Sequence, residues 1–205
     1  SAVLGHARVD ANVAEVVARA ARVFADVGAD IDAAVTPFGP RGPELVRFFW
    51  AAHELGLAHY LPEFGHQMDP GLVACIKSAE AGTASDYIRM RAEKLKYVAE
   101  IHGFFDEWDL LVTPAVSVAA FPADRLTPEH WPEHSWDWLS WAEFSYPFNL
   151  SSNPAAVVPA GFTDEGLPVG LQIVGRRFDD LTVLKAARAF EQALPWASHR
   201  PPLGA

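Results

Sequence analysis

Cys75 is the one cysteine in 205 residues, and only two methionines accompany it. A lone thiol excludes an intrachain disulfide framework and fits a reducing compartment, which favours the cytoplasm. Basic residues are also scarce: 16 Lys and Arg stand against 26 Asp and Glu, a formal net charge of -10. That balance repels phosphate backbones and anionic lipid headgroups, so direct nucleic-acid binding is not expected. No apolar run approaches the length of a bilayer, and Ser-Ala-Val-Leu-Gly-His at the start lacks the basic patch and apolar core of an export signal. Neither a membrane span nor a leader is expected. Repeats, low-complexity tracts and flexible linkers are missing too, so residues 1–205 read as a single domain or part of one. What the chain has is apolar mass: 50% of its residues are hydrophobic, enough for one full core and too many for a disordered or fibrous protein.

The order of elements follows from periodicity. Asp10 can cap a helix carrying Val13, Val16, Val17, Ala20, Val23, Phe24 and Val27 at helical spacing, with Gly28 placed to end it. Asp30 to Val35 reads as a strand stopped by Pro37. Helices are expected over Glu44–Leu57 and Pro70–Ala81, and a longer one from a Ser85 cap towards Phe105. Asp109 to Thr113 is a short apolar run stopped by Pro114, the form of a buried strand. From Ala115 to Trp141, prolines and crowded tryptophans mark a long packed loop entering a short helix. Ala155–Ala160 and Pro168–Gly175 are apolar runs joined by Thr163-Asp164-Glu165-Gly166, a turn between adjacent strands, and a last helix runs from Asp179 or Asp180 to Leu194.

Three blocks in fixed order carry a resemblance. Asp109-Leu110-Leu111-Val112-Thr113-Pro114 comes first, then Asn149-Leu150 followed by Pro154-Ala155, then Gly166-Leu167-Pro168-Val169-Gly170-Leu171-Gln172. Together they resemble the C-terminal part of the amidase signature family, whose members hydrolyse amide bonds with a Ser, cis-Ser, Lys triad. The likeness is best from Trp108 to Pro201 and weaker around Asp10–Pro37 and Ser85-Asp86-Tyr87. It implies an α/β fold, a mixed β-sheet covered by helices on both faces, of which this chain supplies less than half. It also implies a nucleophile on a Gly- and Ser-rich segment, and no such segment is present. No catalytic residue is therefore assigned, and a missing N-terminal half is the expected partner.

Residues within the chain offer poor substitutes. Ser151-Ser152 imitates paired serines, yet it has no flanking glycines and no lysine nearby in sequence, so a turn with hydroxyls bonded to backbone is expected. Relatives often have Gly or another small residue in this turn, which Ser152-Asn153 departs from. Cys75 lies on a predicted helix with no paired histidine in view, the setting of an inert buried thiol. His130 and His134 are four apart, but Pro132 between them breaks the helix that would align two imidazoles, so no metal and no cofactor is expected. The aromatic run is the better candidate. Large flat side chains before the Asn149 turn can line a small-molecule pocket, giving Trp141, Phe144, Tyr146, Asn149 and Ser152 as candidate substrate-binding residues. Such a wall favours an uncharged, partly apolar or aromatic amide. Trp138 and Trp141 also have helical spacing, so core packing is the alternative.

Three functions remain open. The first is the C-terminal portion of an amidase acting on small-molecule carboxamides. The second, implied by the same family, is part of an aspartyl/glutamyl-tRNA amidotransferase A subunit, which would need partners for glutamine's charged groups. Pro62 to Ile88 has no Arg, and only Lys77 and Glu143 are placed to substitute. The third is a free-standing non-catalytic binding domain. Strands meant for an absent half would leave sheet edges and apolar surface bare, so self-association is expected.

Overall fold

A computed structural model describes residues 1–138 and 140–200. Pro201, where the resemblance ends, lies outside them. The first helix, α1 (Ala11–Ala21), buries Val13, Val16, Val17 and Ala20 along one stripe. Asp10 occupies its N-cap position with extended backbone, but its side chain accepts no bond from the helix. Its oxygens lie 2.9 and 3.0 Å from His130 Nε2 instead, tying the helix to the loop. After Arg22 the chain continues as a single turn, α2 (Val23–Asp26), and leaves through Gly28 at φ +93°. The strand expected over Asp30–Val35 is absent. Val35 is 96% exposed and Ile31 48%, and the segment has no neighbour to share a ladder of backbone bonds.

Next come α3 (Arg41–Glu54), a 3-10 stretch over Leu55–Tyr60, the short α4 (Leu61–Phe64) and α5 (Pro70–Ala79). Asp69 caps α5 by accepting from the Leu72 N–H at 3.0 Å, with Pro70 at the first helical position, where its missing N–H is harmless. The long α6 (Ala84–Phe104) starts at Thr83 and not at the expected Ser85. Thr83 accepts from the Asp86 N–H while Asp86 accepts from the Thr83 N–H, a reciprocal box, whereas Ser85 has Ile88 three residues on and nothing to return the bond.

Three strands, β1 (Leu110–Pro114), β2 (Ala155–Phe162) and β3 (Pro168–Gly175), form a sheet in the order β1-β3-β2. Between β1 and β2 lies α7 (Tyr146–Ser151), and α8 (Asp180–Ala193) closes the order. Both described pairings are antiparallel, so the parallel part of the expected mixed sheet is not among the described residues. Side chains alternate across the sheet as the pleat requires. Val169, Leu171 and Ile173 join the core with α1 and α8, while Leu111 and Val174 join Tyr97, Ile101 and Phe105 of the α6 side and Phe148 of α7. Helices thus cover both faces, the α/β arrangement expected. Burying each of the larger of these side chains contributes roughly 1.5–3 kcal/mol.

The Gly-Leu-Pro-Val-Gly-Leu-Gln block builds the hairpin and the central strand. Gly166 turns the β2-β3 connection at φ +82°, and at Gly170 a Cβ would stand 2.9 Å from Val157 Cγ1 and 3.1 Å from Ala115 Cβ. Gln172, 5% exposed, donates from Nε2 to Thr113 Oγ1 and to the Phe144 carbonyl, each at 3.1 Å. One buried amide thereby fastens β1 and the aromatic run to β3.

Candidate functional site

The aromatic run reaches α7 through a 3-10 turn at Ser140–Ala142, and together with α3 it encloses two adjoining hollows. The first, about 490 Å³, lies between Phe49, Trp50 and His53 of α3 and Ala142, Tyr146 and Asn149. The second, about 400 Å³, lies between Trp50 and Glu54, the start of α5, and Leu126, Trp136, Asp137 and Trp138 of the loop. Trp50 and Glu54 line both.

An ion pair between Arg47 and the buried Asp137 holds α3 against the loop. Tyr146 donates its hydroxyl to the other Asp137 oxygen at 3.2 Å, and the Asp137 N–H donates to His134 Nδ1 at 2.9 Å. Burial and then the Asp137 carboxylate hold the Tyr146 phenol far above its ordinary value, so it stays a donor. Glu143, beside this network, is raised from its ordinary value by burial, with Arg47 opposing and Asp137 adding to the shift. His6 faces it at 3.8 Å, too far for a hydrogen bond, and burial lowers the imidazole's affinity for a proton.

The five candidate residues do not converge. Tyr146 and Asn149 share the larger hollow. Phe144 is fully buried in the core beneath it. Trp141 turns away, edge-on to Phe121 at 5.6 Å and donating its indole N–H to the Leu126 carbonyl at 3.1 Å. Ser152 is exposed beyond the last turn of α7, at φ 59° and ψ 37°. That left-handed backbone is why a glycine suits this turn. Ser151 is buried, and its hydroxyl donates to Asn153 Oδ1 at 2.6 Å instead of to backbone as expected. His102 Nε2 meets the Ser151 carbonyl at 2.9 Å, so it donates there and offers no base to the hydroxyl. Asn149, expected in a turn, lies inside α7. Cys75 lines the smaller hollow, with burial raising its thiol pKa and Glu54 and Asp137 pushing the same way, the opposite of an activated nucleophile. No group of His, Cys, Asp and Glu among the described residues could hold a metal.

Arg47, Trp50, Glu54, Trp136 and Asp137 were not candidates from sequence. Trp136 stood among the crowded tryptophans of the Ala115–Trp141 loop and could have been included, whereas a pair joining Arg47 to Asp137 across 90 residues leaves no local pattern.

Aromatic side chains wall the hollows, and no activated nucleophile stands beside them among the described residues. The family model described as Amidase matches residues 4–184. The chain belongs to the amidase signature family. An acylamidase from Rhodococcus erythropolis is 34% identical over 207 residues, covering 97% of this chain and 42% of its own length. The A subunit of a glutamyl-tRNA(Gln) amidotransferase from Chloroflexus aggregans is 34% identical over 142 residues, 68% of this chain and 28% of its own. Among solved structures, a bacterial aryl acylamidase of the amidase signature family superposes with a TM-score of 0.80 at 24% identity, covering 98% of this chain and 45% of that one. A 6-aminohexanoate cyclic dimer hydrolase complexed with substrate gives 0.77 at 24% identity, covering 94% and 43%. The chain spans less than half the length of each of these relatives.

Proposed function

We propose that this chain is the C-terminal portion of an amidase that hydrolyses small-molecule carboxamides, its Ser, cis-Ser and Lys lying on polypeptide outside these residues. The observation that carries the reading is the larger hollow: a largely apolar wall of Phe49, Trp50, Tyr146 and Leu150 with one amide side chain, Asn149, set into it. A wall of this kind orients an acyl group by its shape, while a polar tip fixes direction. The serine would attack the carbonyl, the amine or ammonia would leave with a proton, and water would then release the acid. This chain contributes the wall and part of the core; the missing N-terminal half contributes the reacting groups. The cytoplasm suits the lone thiol, and no helix among the described residues is long and apolar enough to cross a membrane.

Glutamine as substrate is disfavoured by charge. No Arg or Lys lines the larger hollow, where His53 is the one basic side chain, Arg47 is engaged by Asp137, and Lys77 is exposed on α5, so the glutamine carboxylate has no guanidinium or ammonium partner here. The test joins the catalytic region of the Rhodococcus acylamidase to this chain. The chimera is expected to release amine from acylamides, and the 205-residue chain alone to release none. Turnover by the isolated chain that survives repurification and is lost in Ser152→Ala would overturn the assignment of the nucleophile to the missing region.

A further inference from the structure

The smaller hollow differs from its neighbour in kind. Three tryptophans, Trp50, Trp136 and Trp138, line it together with three carboxylates, Glu54, Asp69 and Asp137, and no Lys, Arg or His is among its lining residues. Asp137 is spent on Arg47 and Tyr146. Glu54 and Asp69 have no ion-pair partner among the described residues, and Asp69 gives only Oδ1 to the α5 cap. Indole faces carry negative quadrupole density and attract cations, and carboxylates without countercharges add to the same field. Trp50 and Glu54 belong to both hollows, so the two adjoin.

We propose that the smaller hollow binds the ammonium end of the substrate, so that the amide cleaved carries a cationic amino or alkylammonium group. This rests on the amidase reading and replaces the uncharged amide that the aromatic run alone suggested. An ammonium group would sit against the indoles with Glu54 and Asp69 as its countercharges, while the carbonyl end lies along the wall formed by Tyr146 and Asn149.

The test is binding, measured without turnover. The 205-residue chain is titrated with choline and with its uncharged carbon isostere, 3,3-dimethylbutan-1-ol, by calorimetry and ligand-observed NMR. Choline is expected to bind saturably and roughly threefold to fivefold more tightly than the alcohol, the scale of a solvent-exposed cation–aromatic contact. Glu54→Gln and Trp136→Leu should each remove most of that preference, with circular dichroism confirming that the variants stay folded. Asp164→Asn, on the distant β2-β3 turn, should leave it intact. Equal affinity for the two probes, no saturable choline binding, or a preference untouched by both Glu54→Gln and Trp136→Leu overturns the proposal. The two readings fail separately. A chimera that cleaves neutral acylamides while choline does not bind removes the ammonium site alone, and choline binding beside a chimera inert on every amide removes the hydrolase.

Discussion

At Ser152 a single residue holds a conformation that L side chains resist. Its φ of 59° ends α7, and its side chain is exposed. Ser152→Gly should therefore raise stability by about 0.5–1 kcal/mol, read as a higher melting midpoint. Glu143 sets a pH dependence. Its carboxyl is raised in the folded state, first by burial, with Arg47 opposing and Asp137 adding; the His6 imidazole stands 3.8 Å away. Below the ordinary value of 4.5 the group is protonated folded and unfolded alike. As pH rises from there through the raised folded value, the unfolded chain gives up its proton first, so the folded state binds more protons and loses stability. Glu143→Gln should match the native chain in acid and exceed it at neutral pH, measured as denaturant midpoints at the two conditions. His6, lowered by burial, acts in the opposite sense, gaining stability as pH climbs to 6.5, and both chains retain that residue.

The elements were legible in proportion to how local their causes are. The stripe of α1 from Val13 to Ala20, the Pro70 start of α5 and the Gly166 turn each depend on residues within a few positions and are placed as expected, whereas the helix breaks at Arg22 and Val27, expected on the same stripe, is 44% exposed. The start of α6 moved to Thr83 because the bond Asp86 returns outweighs the mere presence of a serine at 85. The strand at Asp30–Val35 failed for the opposite reason: its apolar pattern is right, but a strand exists only with a neighbour, which no local pattern supplies. The site was half legible for the same reason, since Tyr146 and Asn149 sit together on α7 while Arg47 and Asp137 meet only after folding. Gly170 shows tertiary demand on one position. Gly170→Ala would drive a methyl into Val157 and Ala115, and is expected to destabilise by about 1–3 kcal/mol in chemical denaturation. Val157 is the more exposed of the two contacts, at 59%, so adding Val157→Ala should return part of the loss.

For the molecule as a whole, the apolar surface left bare is the main liability. Ile31, Val35, Ile88, Leu95 and Val157 are between 48% and 96% exposed, spread over the extended segment after α2, over α6 and over β2. Scattered single residues are ordinary; on the amidase reading proposed above, these would be covered by the rest of the enzyme. The isolated chain is expected to self-associate and to bind a dye that reports exposed hydrophobes; a compact monomer in sedimentation with no dye binding would count against it.

The register of β2 limits what that association can become. The strand slips between Pro159 and Gly161, and Pro159 has no N–H to offer, so this border of the sheet cannot template a further ladder. Among the described residues, the opposite border, β1, has β3 as its one strand neighbour. Growth of the sheet through β2 is thus blocked: two copies that paired along β1 would leave only β2 borders outward, and the assembly would stop at a closed pair instead of lengthening into fibres.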